Sequence, residues 1–203
     1  CFEHAPREAG LREGWDLTKV PCPSLAVFLP GRGEASGVGI SVVPGGGLAR
    51  LGFQGGGVGP AEFLADNGYA AFVLKYRLSR QPGLPYKFEE HVLQDGQRAV
   101  RTVRARAKEF GLTTGKVGML GFSAGGEVVS ITCYKPGDGD PQATDPVDRE
   151  HAKPDFQMLV YPGPVGIPSR LPDDTPPALM LIAAADNHTT VPLTPLPRFR
   201  ENE

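Results

Sequence analysis

A serine flanked by small residues, Ser123 in the run Gly121-Phe122-Ser123-Ala124-Gly125, is the first candidate for chemistry in this sequence. The run fits the pattern G-x-S-x-G, in which a strand turns sharply into a helix and presents a serine hydroxyl as a nucleophile. The bend strains the serine backbone, so its neighbours must be small, and the helix N-terminus adds free N–H groups beside the hydroxyl. The alternative is a glycine-rich turn that does no chemistry.

A run of glycines, Pro44-Gly45-Gly46-Gly47, follows a predicted strand well before the serine in the chain. Acyl transfer needs preorganised N–H donors for the oxyanion, and glycines let backbone N–H groups approach a substrate because they carry no Cβ. We expect one donor from Gly46 or Gly47 and a second from Ala124, directly after the nucleophile. Alone, the glycine run fits a flexible loop or a phosphate-binding turn equally well. Its order ahead of G-x-S-x-G favours the oxyanion role.

An acid and a base would complete the machinery, and the sequence offers Asp186 and His188 as candidates. Asp186 follows the apolar run 179–184, and carboxylates past the carboxyl end of a strand lie at the sheet edge where sites form. In the chain order Ser, Asp, His it would orient a histidine, the alternative being an ordinary loop aspartate. Only His188 follows it, on the same loop, where the ring is badly placed to bridge acid and serine. His91 and His151 precede the acid and suit structural or solvent-exposed roles.

The elements that must position these residues alternate between strands and helices. Apolar, β-branched runs predict strands at residues 25–29, 38–43, 69–76, 116–120, 156–161 and 178–184. Helices are predicted at residues 60–67, 89–110 and 124–133, the second from apolar residues at three- and four-residue steps. The alternation predicts an α/β fold with a mostly parallel central sheet and helices on both faces. We assign residues 1–23 to an N-terminal arm, 24–190 to one domain and 191–203 to an irregular tail.

Composition narrows the function classes. The chain has 203 residues, enough for one domain with a sizeable core, and a net charge of −2, which favours neither nucleic acid nor an anionic membrane. No apolar run approaches the roughly 20 residues that span a bilayer, and no charged start precedes an apolar stretch, so we expect neither a membrane span nor a signal peptide. Three cysteines lack metal-ligand spacing and fit unpaired thiols or one bridge. No metal or cofactor is predicted, and the oligomeric state stays open.

Six segments in order carry a resemblance to a known group: VVPGGGLARL, FLADNGYAAFVLKYRL, DGQRAVRTVRARAKEFGL, KVGMLGFSAGGEV, KPDFQMLVYP and TPPALMLIAAADN. Over residues 24–190 the chain resembles the α/β-hydrolase esterases and lipases, and more narrowly the bacterial acetylxylan-esterase-like and feruloyl-esterase-like group. The resemblance implies Ser123 as nucleophile, residues 45–47 with Ala124 as oxyanion hole, and Asp186 as triad acid. It also implies acyl esters of carbohydrates as substrates and a secreted or periplasmic location, because members of the group are often secreted.

The end of the chain departs from that group. A further strand, a Gly-His-Gly-type loop and a closing helix would follow the acid, whereas TTVPLTPLPRFRENE resembles none of them. We therefore expect the C-terminal strand and helix to be missing, through a fragment, a frameshift or an altered product. Without a base Ser123 is a weak nucleophile at neutral pH, and strand 178–184 becomes an exposed apolar edge.

Together these features predict a serine carboxylesterase acting on acetyl or related esters of carbohydrates, or on other small esters. One alternative is a catalytically impaired or non-catalytic protein of the same fold, which the missing histidine favours. Another is a dienelactone-hydrolase-like or peptidase-like hydrolase, because specificity lies in loops whose shapes the sequence does not show.

Overall fold

The computed structural model describes residues 3–5, 16–31, 33–168 and 170–182. The strands are β1 (Glu3–Ala5), β2 (Asp16–Leu17), β3 (Ser24–Phe28), β4 (Gly39–Val43), β5 (Leu51–Gly52), β6 (Ala70–Lys75), β7 (Val117–Phe122), β8 (Gln157–Val160) and β9 (Ala178–Leu181). The helices are α1 (Gly59–Asp66), α2 (Leu93–Ala105) and α3 (Ala124–Tyr134). Shorter helical turns occupy Gln54–Val58, Phe88–Val92 and Pro146–Arg149.

The described residues form a main sheet of seven strands in the order β1-β3-β6-β4-β7-β8-β9. Neighbouring strands are parallel except β3 and β6, which pair antiparallel. β4 is buried along its whole length, and β6 and β7 are buried in all but their last residue. Burial on both faces explains their continuous apolar sequences. The predicted α/β class with a mostly parallel sheet is thereby confirmed.

The helices pack against this sheet, and α3 begins directly after the end of β7. α2 and α3 contact each other and lie against β4 and β7, whereas α1 lies against β6 and β3. α3 is buried from Ala124 to Cys133, which explains why its sequence lacks a polar face. None of the helices in the described part of the chain has the length and apolar run that crossing a bilayer requires.

The predicted helix over residues 89–110 is wrong at its C-terminal end, because α2 ends at Ala105. Arg106 leaves helical geometry with φ −107°, and the chain continues as turns in which the Phe110 N–H donates to the Arg106 carbonyl at 3.1 Å. The Phe110 ring still packs on Phe72, with centroids 4.8 Å apart. The apolar spacing therefore persists past the helix, because these turns also direct side chains into the core.

The segment predicted as an N-terminal arm contains two short strands. β1 pairs in parallel with β3, and β2 pairs antiparallel with β5 in a separate two-stranded sheet. Cys22 in the same segment is disulfide-bonded, as the one-bridge alternative predicts, whereas Cys133 in α3 is a free, buried thiol. The boundaries assigned at residues 24 and 190 remain a prediction.

At the opposite side of the described sheet, β9 pairs only with β8. Its apolar side chains Leu179 and Leu181 are each 53% exposed. In the described part of the chain, this strand is therefore the apolar edge that the sequence predicted.

Candidate active site

Ser123 occupies a strained turn between β7 and α3, with φ 51° and ψ −121°. A residue with a side chain adopts this conformation at a cost of about 1–3 kcal/mol, so the surroundings must hold it. The Ser123 N–H donates to the Val160 carbonyl at 3.0 Å. The Ser123 carbonyl accepts from the N–H groups of Gly126 at 2.9 Å and Gly163 at 3.1 Å. The end of β8 and the loop after it thus hold the sharp bend that G-x-S-x-G predicts.

The glycines of the motif are required by close packing. A Cβ on Gly125 would collide with the carbonyl oxygen of Val43 at the end of β4. A Cβ on Gly121 would lie 2.5 Å from the Gly125 carbonyl oxygen. Real Cβ atoms essentially never come this close to other atoms, so α3 begins directly against β4 only because both positions lack a side chain.

The glycine loop, residues 44–48, lies directly beside the serine. A Cβ on Gly45 would lie 2.7 Å from the Phe122 carbonyl oxygen and 3.1 Å from the Ser123 Cβ, so the loop packs against the Ser123 turn too closely for a side chain at this position. As the first residue of α3, Ala124 has an N–H without an acceptor inside the helix. The Gly46 N–H donates to no backbone carbonyl in the part of the chain that the structure describes. The Gly47 N–H likewise donates to no backbone carbonyl among the described residues, so all three predicted oxyanion donors are unused by the backbone there.

The glycine loop is held by hydrogen bonds on its carbonyl groups. The Gly45 carbonyl accepts from the Gly52 N–H at 2.8 Å, and the Gly46 carbonyl accepts from the Arg50 N–H at 3.2 Å. Gly46 has φ +135° and Gly47 has φ +68°, backbone conformations that favour glycine. Because the carbonyls bind protein groups, the loop can turn N–H groups toward a ligand.

A cavity of about 240 Å³ opens over the serine. Its lining combines the Ser123 turn, the glycine loop and several residues that the sequence analysis missed. The lining residues are Asp16, Gly45, Gly46, Arg50, Gly52, Gly56, Phe122, Ser123 and Tyr161. Gly47 is not part of this lining. Of the three predicted donors, Gly46 therefore lines the cavity, whereas Ala124, like Gly47, does not.

Tyr161 and the Asp16–Arg50 pair are the missed residues with polar side chains. Tyr161 follows β8 with φ 37°, is 47% exposed, and its ring lies 6.2 Å from that of Phe122. Arg50 Nη1 lies 2.7 Å from Asp16 Oδ2. The position of Tyr161 past the carboxyl end of a parallel strand was a usable signal, whereas nothing local predicts the pairing of Asp16 with Arg50.

Glu127 adds a buried charge one turn into α3. The residue is 2% exposed, and Arg80 Nη2 lies 3.2 Å from its Oε2. Burial raises the pKa of Glu127, and the Arg80 charge and the Val165 backbone N–H only partly oppose this. Burial, and then the Glu127 charge, raise the pKa of the neighbouring Tyr76 hydroxyl. The motif analysis did not identify this cluster, whose carboxylate lies in the first turn of the helix that follows Ser123.

The remaining predicted site residues are Asp186 and His188, with His91 and His151 as further histidines. Asp186 and His188 lie outside the described residues, so their roles remain predictions. His91 accepts a hydrogen bond from the Lys87 N–H, His151 accepts one from the Lys153 N–H, and neither lines the cavity. Among the residues described, no group of three or more metal-ligating side chains could hold a metal ion.

A larger cavity of about 560 Å³ lies elsewhere, along α2. It adjoins the arginine face, the side of α2 that carries Arg98, Arg101 and Arg104. These guanidinium groups bind the loop after α3, as in the pairs Arg98–Asp148 and Arg104–Asp155, each at 2.7 Å. Because Arg98 and Arg104 pair with aspartates of that loop, their role here is to hold the loop against α2.

Comparison with known proteins places this geometry in context. Residues 25–158 match the family described as BD-FAE. Over 138 residues the chain is 31% identical to an acetylxylan esterase from Xylanibacter ruminicola, an alignment that covers 68% of this chain and 25% of that protein. The chain therefore spans about a quarter of the length of this curated relative.

Two solved structures share the fold. An acetyl ester-xyloside bifunctional hydrolase from Caldicellulosiruptor lactoaceticus superposes with a TM-score of 0.72 at 28% identity, covering 89% of this chain and 72% of that one. MGS-M1, an α/β hydrolase from a Medee basin deep-sea metagenome library, superposes with a TM-score of 0.67 at 18% identity, with the same coverages. The predicted α/β-hydrolase fold is confirmed by these likenesses.

Proposed function

The chain belongs to the BD-FAE family, and on that premise we propose that it hydrolyses carboxylic esters with Ser123 as the nucleophile. The observation that carries the proposal is the strained Ser123 turn, with φ 51°, beside a glycine loop and a cavity that both open on it. A non-glycine residue in this conformation is maintained only where surrounding contacts impose it, and such residues cluster at active sites.

The proposed reaction is an acyl transfer through Ser123. Ser123 Oγ attacks the ester carbonyl carbon while a base takes the hydroxyl proton, and the carbonyl oxygen becomes an oxyanion. The N–H groups of Gly46 or Gly47 and of Ala124 donate hydrogen bonds to that oxyanion. The base returns the proton to the departing alcohol, and water then releases the acid from the acyl-enzyme. Asp186 would orient the base.

The proposed substrates are acetyl or similar small acyl esters of carbohydrates. The acetylxylan esterase relative and the acetyl ester-xyloside hydrolase support this class. The cavity of about 240 Å³ is smaller than the roughly 300–1,000 Å³ of sites for drug-sized ligands, which suits a short acyl group. The exposed Tyr161, Asp16 and Arg50 would then face the alcohol portion.

One observation favours a second candidate function, ester binding without turnover. The chain has four histidines, and none of those with a described side chain lines the cavity. A serine without a base retains oxyanion binding but loses most of its rate.

Labelling by a fluorophosphonate probe, together with hydrolysis of p-nitrophenyl acetate, tests both candidates. We expect the probe to modify Ser123, and Ser123→Ala to abolish labelling and lower kcat/KM at least about 10³-fold. Ser130→Ala, which changes a fully buried serine on the same helix, is the matched control and should retain both. Equal turnover by Ser123→Ala refutes the nucleophile. Saturable binding of an acetylated sugar with no turnover supports the second candidate.

A further inference from the structure

One short segment after β6 forms hydrogen bonds with both ends of the glycine loop. The Tyr76 hydroxyl donates to the Pro44 carbonyl at 2.9 Å, just before the three glycines. The Arg80 N–H donates to the Leu48 carbonyl at 2.9 Å, just after them. The position of residues 76–80 therefore determines the position of the loop that should carry the oxyanion donors.

The same segment is joined to the nucleophile helix through Glu127. Arg80 Nη2 lies 3.2 Å from Glu127 Oε2, and the Glu127 side chain is only 3% exposed. Glu127 Oε2 accepts no aligned hydrogen bond in the described part of the chain, and the Arg80 charge opposes the effect of burial on the Glu127 pKa more than any hydrogen bond does, so charge attraction is the main interaction of the pair. A Cβ on Gly163 would collide with Glu127 Oε1, and the Gly163 N–H donates to the Ser123 carbonyl. The carboxylate thus lies between the segment that follows β6 and the loop that binds the Ser123 carbonyl.

Stability alone does not account for this carboxylate. Taking an ion pair out of water costs desolvation energy, and well-packed apolar residues in its place are often neutral or stabilising. Arg80 is 47% exposed in its side chain and could be solvated without a partner. The Arg80–Glu127 ion pair therefore needs an explanation other than its contribution to stability.

We propose that Arg80 and Glu127 are positioning residues whose ion pair fixes the glycine loop against the Ser123 turn. The inference rests on the proposed function, since it assigns how that same site is held. Glycines leave the loop free to move unless its ends are fixed, and oxyanion donors act only when they are preorganised. Breaking the pair should slow the chemical step and leave substrate affinity nearly unchanged.

Hydrogen exchange of peptides covering residues 44–52, with fluorophosphonate labelling rates, tests the proposal in the full chain. Glu127→Gln keeps the side-chain volume and removes the charge, Arg80→Met removes the cation, and Arg80→Lys retains it. We expect the first two to speed exchange in these peptides and to slow labelling of Ser123 about 10- to 100-fold. Arg80→Lys should recover most of both properties.

Asp155→Asn is the matched control, because it breaks an ion pair with Arg104 on the arginine face. It should leave exchange over residues 44–52 and the labelling rate unchanged. Wild-type exchange and labelling in both Glu127→Gln and Arg80→Met would overturn the proposal, and if the first variant does not fold, the second decides. Absent labelling in the wild type, with faster loop exchange in Arg80→Met, would remove the proposed function but retain the positioning role.

Discussion

Two carboxylates that pair with arginines differ in how their surroundings change their pKa. Burial raises the pKa of Glu127 behind the serine, and Arg80 only partly offsets it. Burial also opposes ionisation of Asp155 on the arginine face, but hydrogen bonds from a backbone N–H, Arg104 and Lys116 outweigh it and lower its pKa. Ionised Asp155 therefore stabilises the fold at neutral pH, whereas ionised Glu127 lowers its stability. The site retains an unfavourable charge, and the arginine face a favourable one.

The largest effect is expected on the site side of this comparison, from Gly125→Ala. The added Cβ would collide with the Val43 carbonyl, so the start of α3 must move away from β4 and carry Ser123 with it. Misplacement by about 1 Å costs on the order of 10²-fold in rate, so we expect at least that loss in fluorophosphonate labelling. Gly55→Ala is the control, since a Cβ there meets nothing within 4 Å. Unimpaired labelling of Gly125→Ala would show that close packing does not set the turn.

A smaller effect, on stability and not on reactivity, is expected from Asp155→Asn. Asp155 accepts hydrogen bonds from Arg104 at 2.7 Å, from the Val117 N–H at 2.9 Å and from Lys116 at 3.0 Å. Hydrogen bonds to charged groups contribute about 1.5–3 kcal/mol each at most, and partial exposure reduces this, so we expect a loss of about 1–3 kcal/mol. Urea unfolding at neutral pH measures it. A stable variant with slow labelling would reverse the roles assigned to the two regions.

The smallest and most diagnostic effect is the sign of the pH dependence. Asp155 has a lowered pKa, so the stability of wild type relative to Asp155→Asn should be full above 3.8 and decline as the pH falls below it. Glu127 has a raised pKa, so the stability of wild type relative to Glu127→Gln should increase as the pH falls toward 4.5. Urea unfolding of the three proteins over a pH series gives both slopes. If both stability differences change with pH in the same direction, the two carboxylates do not have opposite effects on stability.

Much of the fold could be predicted because its central strands are buried on both faces. The apolar runs at residues 38–43, 69–76 and 116–120 identified β4, β6 and β7 to within two residues. The end of α2 was not predictable from periodicity, since Phe110 packs into the core from a turn much as a helical residue would. Local sequence patterns therefore predict which side chains are buried more reliably than they predict the secondary structure of the backbone at those residues.

In the candidate site too, the sequence predicted the residues set by a local pattern and not those set by long-range contacts. Ser123 and Gly125 could be identified because sterics within a five-residue motif demand small neighbours at a bend. Arg80 and Glu127 could not, because their roles depend on a contact between segments far apart in the chain. A glutamate inside an apolar helix was nevertheless visible in the sequence, and its burial is the kind of exception that indicates a specific role.

The hydrogen bonds on Ser123 also have a consequence for the order of events during synthesis. Val160 and Gly163, which hold its N–H and its carbonyl, are translated well after it. At about 5–20 residues per second, β7 and α3 leave the ribosome seconds before the residues that lock the bend. A nascent polypeptide that has not yet added β8 to its sheet therefore carries an unorganised hydroxyl, and reactivity would arise only near the completion of this part of the fold.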